Sequence, residues 1–326
     1  MTEKKGKKKR GWEFWIDRGG TFTDIVARRP DGTTLTRKLL SDKPGLYRDA
    51  GVEGIRRILG ISKGRAIPAG SIDVIKMGTT VGTNALLQRN GEPTVLVITR
   101  GFRDCLRIGY QNRPDIFALR IERPEMLYSK VIEVGGRHSA TGEELESLDT
   151  QGFSAALERV YNSGIHSVAV VLMHAWISPQ HELRIGKLAK TIGFTQISLS
   201  HRVSPLIKIV SRGDTTVADA YLSPVLRHYE DQFGAGLSVK SGTSQIAPRL
   251  MFMQSNGGLT SAAQFQGKDC ILSGPAGGVV GAVAVSRQAG FDRIITFDMG
   301  GTSTDVAHYA GELERSFDTE VAGIRI

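Results

Sequence analysis

Cysteine is scarce in this sequence and long apolar segments are missing, and each absence excludes a class of protein. Cys105 and Cys270 are the only cysteines in 326 residues, too few and too unpatterned for a disulfide framework or a zinc site. No apolar run reaches the roughly 18 residues that a membrane span requires, and no apolar segment near the start resembles a secretory leader. We therefore expect a protein of the reduced cytoplasm without a membrane partner.

Several catalytic signatures are also absent. The sequence contains no GxxxxGK[ST], which excludes a P-loop nucleotide site. It contains no GxSxG, so it has no nucleophile elbow, and neither HExxH nor CxxC, so zinc hydrolases are excluded too. The seven histidines are scattered along the chain. Any chemistry must therefore come from other residue types.

The net charge of +9 comes mainly from the start of the chain. The first ten residues, MTEKKGKKKR, hold six Lys or Arg and one Glu. This composition predicts a solvated, disordered arm over residues 1–12 and leaves a weak contact with an anionic surface open. The remaining sequence has no basic stripe with interleaved aromatics, so nucleic acid is not an expected partner.

Hydrophobic periodicity predicts strands that alternate with helices, which is typical of an α/β fold. We expect strands near residues 12–17, 22–28, 33–40, 72–77, 94–98, 167–173, 196–199, 249–254 and 293–297, and another that ends at Ser273. We expect helices near residues 46–59, 81–89, 151–163, 179–192 and 216–233. Residues 100–127 are rich in Arg, Pro and Gly and are predicted to be irregular.

One ten-residue phrase occurs twice, as IDRGGTFTDI at residues 16–25 and FDMGGTSTDV at residues 297–306. The two copies share Asp, Gly, Gly, Thr, Thr and Asp. A hairpin turn would explain the glycines but not four retained polar side chains. Backbone N–H groups of such turns bind anions, and nearby carboxylates hold Mg²⁺. The predicted ligands are Asp17, Gly19, Gly20, Thr21, Thr23, Asp24, Asp298, Gly300, Gly301, Thr302, Thr304 and Asp305.

The segment LSGPAGGVVGA at residues 272–282 has the composition of a helix start beside a phosphate. Pro suits the first helical turn, and free N–H groups at a helix N-terminus attract anions. The bare glycines could equally allow close packing of the helix against a strand. Ser273, Gly274, Gly277 and Gly278 are the candidate phosphate contacts.

The segment MGTTVGTNALL at residues 77–87 has a related strand–Gly–Thr–helix form. Thr79, Thr80 and Asn84 are candidate substrate contacts, although helix capping alone would explain the threonines. Arg113 belongs to a cluster of arginines that could bind a carboxylate or phosphate by paired hydrogen bonds. Solvated surface positions would explain these arginines as well.

These phrases, together with TRGFRDCLRIG and SNGG in the same order, resemble the hydantoinase A/5-oxoprolinase family over residues 13–326. The phrase YQNRPDIF at residues 110–117 is closer to the 5-oxoprolinase branch. The resemblance implies an α/β fold of the actin-like ATPase (ribonuclease H-like) type, with one phosphate loop in each half. The implied domains are residues 13–202 and residues 203–326, the second being truncated at its C-terminus.

The resemblance further implies the ATP-dependent opening of a cyclic amide, most simply 5-oxoproline, ATP and water giving glutamate, ADP and phosphate in glutathione metabolism. ATP and Mg²⁺ would be the cofactors. Asp17 and Asp298 would share the metal-binding and base or water-positioning roles, with the division between them open. Alternative readings are a hydantoinase, the ATP-binding subunit of a ketone carboxylase, or a truncated nucleotide-binding subunit without catalysis.

Family members continue beyond the position where this sequence stops, at Ile326. We therefore expect little catalysis from this chain alone, and completion by a second module or a partner subunit of the hydantoinase B type. We also expect the strands at residues 294–297 and 306–309 to expose apolar surface, because covering helices are missing.

Overall fold

The structure, a computed structural model, describes residues 11–111, 116–121, 124–237, 248–300, 304–314, 319–321 and 323–325. Most of the predicted basic arm, residues 1–10, lies outside this part of the chain. Residues 11 and 12, which were also assigned to the arm, are ordered: Gly11 N donates to Asp73 Oδ2 over 2.8 Å and Trp12 N to Ser71 O over 2.8 Å. Within the described residues, no helix is long and apolar enough to span a bilayer.

Strands and helices alternate along the chain. The strands are β1 Trp12–Arg18, β2 Phe22–Arg28, β3 Thr34–Leu40, β4 Ile72–Thr79, β5 Thr94–Thr99, β6 Tyr128–Val134, β7 Arg137–His138, β8 Glu144–Glu146, β9 Ser167–Val171, β10 Gln196–Leu199, β11 Arg249–Met253, β12 Leu259–Ser261, β13 Arg293–Met299, β14 Thr304–Ala310, β15 Glu320–Val321 and β16 Ile324–Arg325. The helices are α1 Ala50–Leu59, α2 Val81–Leu87, α3 Cys105–Ile108, α4 Gln151–Asn162, α5 Gln180–Ile192, α6 Ser200–Val203, α7 Ile209–Leu237 and α8 Ser273–Gln288.

The sequence predictions match most of the long elements, but the seven-residue strand β6 was not predicted, and several short elements were missed as well. The predicted strand that ends at Ser273 is wrong: a 3₁₀ turn at Gly267–Asp269 and an ordinary turn precede α8. The predicted irregular segment at residues 100–127 contains α3. Helix α7 is longer than predicted and continues through Pro224. Short elements lack enough residues to establish a period, so pattern alone misses them.

The chain divides into two compact units that interleave in sequence. Unit 1 comprises residues 1–84, 228–265 and 269–315, and unit 2 comprises residues 85–227, 266–268 and 316–326. Each unit therefore combines segments that are distant in the sequence. A boundary near residue 202, as implied by the family resemblance, describes sequence segments and stays a prediction.

In unit 1, six of the described strands form one mixed sheet in the order β12-β11-β4-β1-β2-β3. Strand β1 is antiparallel to β2 and parallel to β4. The inner face buries Phe14, Ile16 and Ile25, each of which contributes roughly 1.5–3 kcal/mol through burial. Helix α1 covers this face at such close range that a Cβ at Gly54 would overlap Ile25 Cδ1. A side chain at position 54 would therefore force Ile25 out of its present rotamer.

In unit 2, the described strands β10, β9, β5 and β6 form a fully parallel sheet in that order. All residues of β5 and β9 are buried, as expected for a parallel sheet covered on both faces. Helices α4 and α5 contribute Leu157 and Ile185 to the core around Val97 and Val170. Unit 2 thus has a hydrophobic core of its own.

The hairpin of β13 and β14 in unit 1 exposes much of its apolar surface. Ile295 is 73% exposed, Phe297 68% and Val306 60%. The prediction of exposed apolar surface on these strands is confirmed for these three residues. It is wrong for Tyr309, which is 4% exposed and donates its hydroxyl to Gly311 O over 2.9 Å.

A buried polar network holds α5, α6 and α7 together in unit 2. The carboxylate of Glu182, fully buried, accepts from Leu172 N, Ser200 Oγ and His201 N over 2.6–3.0 Å. Arg212, also fully buried, donates to Ser200 Oγ over 3.0 Å and to three backbone carbonyls. Every partner in this network is satisfied by another, so removal of one leaves several buried groups unpaired.

We predict that Arg212→Met lowers the free energy of unfolding by about 3 kcal/mol or more, because the buried Leu172 carbonyl, the buried Ser200 hydroxyl and two further carbonyls lose their donor. Urea unfolding followed by circular dichroism would measure the change. Arg202→Met is the matched control, since Arg202 is exposed and should cost no more than about 0.5 kcal/mol. Equal losses in the two variants would contradict the prediction.

Candidate nucleotide site in unit 1

The first Asp–Gly–Gly–Thr phrase forms the turn between β1 and β2. Asp17 lies directly opposite Asp24 in the antiparallel register, and Gly19 N donates to Phe22 O over 3.0 Å to close the turn. Because side chains alternate along a strand, burial of Ile16 places Asp17 on the open side. Gly20 and Thr21 are exposed at the tip of the turn, where a phosphate could approach.

Ser41 braces this turn from the end of β3. Its hydroxyl donates to Gly19 O over 2.6 Å, and its backbone N–H donates to Thr21 O over 2.8 Å. Thr23, a predicted phosphate ligand, is fully buried, and its hydroxyl shares a 3.0 Å hydrogen bond with Ser41 Oγ. The structure thus places the Thr23 hydroxyl in the core beneath the turn.

The turn between β4 and α2 lies against the end of β1. Thr80 donates to Arg18 O from both its backbone N–H and its hydroxyl, each over 3.2 Å. A Cβ at Gly78 would lie 3.2 Å from Asp17 Oδ1, so a side chain at this position would crowd the carboxylate. The predicted substrate contact Thr80 therefore lies against the first phosphate loop.

These threonines also have structural partners. Thr79 Oγ1 accepts from Val81 N over 3.2 Å, which confirms the capping explanation at this position. Thr80 Oγ1 accepts from Asn84 Nδ2 over 3.3 Å. Arg113 lies outside the described residues, so its predicted role stays a prediction.

The N-terminus of α8 docks on the same turn. Ser273 Oγ donates to Thr79 O over 3.2 Å, and Leu272 N donates to Thr83 Oγ1 over 3.2 Å. Leu272 adopts a left-handed backbone conformation, φ +57°, which is uncommon for a residue with a branched side chain. Such strain is retained where surrounding contacts fix the chain, here at the entry to a 16-residue helix.

The glycines at the start of α8 have different surroundings. A Cβ at Gly277 would lie 3.4 Å from Met253 Cε, and one at Gly274 would lie 3.8 Å from Thr80 Cγ2. At Gly278 and Gly281 a Cβ would meet none of the described atoms within 4 Å. Close packing against a strand therefore does not explain Gly278 or Gly281.

The second copy of the phrase forms a matching hairpin. Asp298 lies opposite Asp305 in the register of β13 and β14, just as Asp17 lies opposite Asp24. Gly300 and Thr304 are exposed at its tip. Gly301 and Thr302 lie outside the described residues, and their phosphate contacts stay predictions.

Carboxylates crowd together at this point of unit 1. Asp17 is accessible to solvent, yet partial desolvation by neighbouring protein atoms, followed by repulsion from Asp24 and Asp298, raises its pKa. Asp24 is paired with Lys38, whose Nζ lies 2.7 Å from Asp24 Oδ2. The structure thus brings Asp24 and Asp298, one from each copy of the phrase, within electrostatic range of Asp17.

This arrangement suits a divalent cation that retains other ligands. Among the described residues, no three His, Cys, Asp or Glu side chains are close enough to enclose a metal by themselves. Mg²⁺ commonly takes one or two carboxylates and completes its shell with water and phosphate oxygens. Asp17 and Asp298 could hold such a cation.

The sequence analysis missed Ser41 and Lys38. Lys38 could have been found, because the Pro30-Asp31-Gly32 turn sets a register that places it opposite Asp24. Arg18 was also missed: its Nε lies 3.7 Å from Asp49 Oδ2 and its guanidinium 5.0 Å from the centroid of the Tyr229 ring. These contacts anchor the strand end from the opposite face.

An α/β unit with two facing Asp–Gly–Gly–Thr hairpins defines the class, an actin-like ATPase fold. Matches to protein-family models assign the chain to one family. The family model described as hydantoinase/oxoprolinase N-terminal region matches residues 13–193. The family model described as hydantoinase/oxoprolinase matches residues 212–326. The chain belongs to the hydantoinase/oxoprolinase family, as the resemblance predicted.

Individual relatives agree with this placement. The 5-oxoprolinase 1 of Arabidopsis thaliana is 44% identical over 339 residues, which cover 95% of this chain and 26% of that protein. Caprolactamase subunit alpha of Pseudomonas jessenii is 30% identical over 329 residues, 98% of this chain and 46% of the relative.

A solved structure supports the fold. The crystal structure of ATP-dependent caprolactamase from Pseudomonas jessenii superposes with a TM-score of 0.78 at 28% identity, over 96% of this chain and 46% of the solved one. The predicted fold class is confirmed. The chain spans 26–28% of the length of the first curated relatives that it matches.

We predict that Asp17→Asn reduces about tenfold the factor by which Mg²⁺ increases the affinity for ATP, because one carboxylate near the cation loses its charge. Calorimetric titrations with ATP in Mg²⁺ and in EDTA would measure this factor directly. Asp31→Asn serves as the control, since Asp31 is exposed and bonded to Thr33 in the turn between β2 and β3. An unchanged Mg²⁺ effect in Asp17→Asn would contradict the assignment.

Proposed function

We propose that this chain is the ATP-binding part of an ATP-dependent cyclic-amide hydrolase, with 5-oxoproline as the substrate. The observation that carries the proposal is the convergence of Asp17 and Asp298 from the two hairpins of the repeated phrase, which have the same register. Two such turns provide N–H groups for phosphates and carboxylates for a cation. The 5-oxoprolinase relative, at 44% identity over most of the chain, supports the choice of substrate.

The chemistry explains why a nucleotide is needed. A lactam is a stabilised amide that water attacks slowly at neutral pH. In the proposed reaction the lactam oxygen bonds to the γ-phosphorus as the bond to the β-phosphate oxygen breaks, and ADP leaves. Water then adds to the activated carbon, the C–N bond breaks with protonation of nitrogen, and a second water releases phosphate from the resulting acyl phosphate, giving glutamate.

The residues of unit 1 have distinct tasks in this scheme. The turns at Gly19–Gly20 and Gly300 would orient the phosphates, which supplies most of the catalysis in phosphoryl transfer. A bound Mg²⁺ would neutralise charge on the phosphate oxygens. Asp17 and Asp298 would hold that cation and a water molecule, and Lys38 would keep Asp24 from adding its full charge to the cluster.

The share of its relatives that the chain covers bears on which further parts the proposed enzyme needs. Because the chain spans about a quarter of the 5-oxoprolinase relative, we propose that a second module or a partner subunit of the hydantoinase B type completes the enzyme. One relative is itself named a subunit. We place the enzyme in the cytoplasm on the basis of its cysteine usage.

The test measures ADP and the ring-opened product separately, with 5-oxoproline, hydantoin, ε-caprolactam or acetone as substrate. The chain is assayed alone and mixed with the part of Arabidopsis 5-oxoprolinase 1 that follows the matched region. We expect 5-oxoproline to stimulate ATP hydrolysis in the mixture, and Asp298→Asn to reduce it about a hundredfold or more.

Other outcomes separate the alternatives. Stimulation by hydantoin or acetone in place of 5-oxoproline would reassign the substrate. Binding of Mg-ATP without turnover in any mixture would favour a non-catalytic nucleotide-binding subunit. Failure of the chain to bind Mg-ATP would overturn the proposal altogether.

A further inference from the structure

Unit 2 contains a cavity that shares no residue with the phosphate loops. Its volume is about 330 Å³, and it lies between α3, the N-terminal half of α7 and the hairpin of β15 and β16. A volume of this size is at the lower end of the range for small-molecule sites. The cavity is therefore large enough for a ligand of about ten non-hydrogen atoms.

Apolar and polar side chains both line its wall, and the polar ones include Arg107, Gln111 and Glu320. Leu106, Leu127, Val217 and Ile324 line the cavity, and each is less than 9% exposed. These four apolar side chains come from α3, the segment before β6, α7 and β16. They would contact the hydrocarbon part of a ligand and exclude water from its polar groups.

One ion pair lies in this wall. Asp214, 7% exposed, lies with its Oδ2 3.2 Å from Arg325 Nη2. The Arg325 guanidinium also lies 4.8 Å from the centroid of the Tyr110 ring, and the Tyr110 hydroxyl is 2.9 Å from Ser211 Oγ. The Arg325 guanidinium is thus held in place beside Asp214 at the cavity wall.

The Asp214 carboxylate is incompletely satisfied. Its Oδ2 is sealed from solvent and, within the described part of the chain, accepts no hydrogen bond of good geometry despite the ion pair. Burial raises the pKa of Asp214 to about 7, and the opposing attraction of Arg325 is too weak to offset it. A ligand that donates a hydrogen bond to the part of this carboxylate that lines the cavity would stabilise its charged form.

We propose that this cavity binds a small cyclic amide, whose N–H donates to Asp214 and whose carbonyl oxygen accepts from Arg325. The ligand class rests on the proposed function, whereas the position rests on the cavity alone. A ring of five to seven atoms holds its amide cis, so that donor and acceptor share one edge. An open-chain secondary amide is trans and presents them on opposite edges.

The arrangement of donor and acceptor on the amide determines which small molecules should bind. 2-Pyrrolidone has the required edge, N-methyl-2-pyrrolidone lacks the donor, and N-methylacetamide has both groups in the trans arrangement. In ligand-observed NMR titrations of the full chain without nucleotide, we expect 2-pyrrolidone to bind at least about tenfold more tightly than either analogue. Equal affinities for the three probes would overturn the proposal without any mutation.

Asp214→Asn tests the residue assignment while preserving shape. We expect it to weaken 2-pyrrolidone binding about tenfold, because a charged acceptor becomes a neutral one. Glu158→Gln is the matched control, since Glu158 lies on the exposed side of α4 in the same unit. Unchanged binding in Asp214→Asn would also overturn the proposal.

The pH dependence gives an independent readout. An N–H donor favours the charged carboxylate, so binding should strengthen as pH rises through about 7, and Asp214→Asn should lose this dependence. The other charged or titratable groups that line the cavity are Arg107, Tyr110, Glu320 and Arg325. Nearby, burial followed by the charge of Asp214 raises the pKa of both the Cys105 thiol and the Tyr128 hydroxyl.

Nucleotide titrations on the same samples separate this proposal from the proposed function. ATP binding without 2-pyrrolidone binding would contradict the proposal that the cavity binds a cyclic amide, and it would not affect the proposed ATP-dependent reaction. Binding of 2-pyrrolidone that depends on Asp214, without ATP binding, would retain the cavity and contradict the proposed function.

Discussion

The candidate site in unit 1 depends on the pairing of β1 with two neighbours of opposite direction. Because β2 is antiparallel to it and β4 is parallel, the C-terminal end of β1 meets the start of β2 and the end of β4 at one place. Asp17 and Gly78 are direct partners in that register. The attachment of α8 to Thr79 follows from this arrangement, and so does the bracing of Arg18 O by Thr80.

Two acids in the molecule have raised pKa values for related but distinct reasons. Asp17 reaches solvent and is crowded by other carboxylates, an environment that a cation would stabilise. Asp214 is buried beside a guanidinium. The positive charge of that guanidinium already balances the charge of the carboxylate, so a further cation would not stabilise it. The first favours metal-assisted phosphate chemistry, and the second favours a neutral, dipolar ligand. Burial and neighbouring charge together distinguish the two cases.

The sequence was most informative where function restricts it. The repeated phrase predicted both hairpins and the approach of Asp17 to Asp298, because four polar side chains exceed what a turn requires. Ser41 was missed, since a single serine at a strand end carries no pattern. Asp214 was missed because it lies within a long helix, and its burial is decided by the packing of residues more than a hundred positions later, at Arg325.

The parallel pairing of β4 with β11 has a consequence for synthesis of the chain. Val74 pairs with Arg249, and most of unit 2 lies between them in the sequence. The ribosome therefore releases β4 with one edge bare and completes much of the parallel sheet of unit 2 before β11 emerges. Closing so long a loop costs entropy and slows folding, so the strand that carries Gly78 toward Asp17 acquires its final neighbour late.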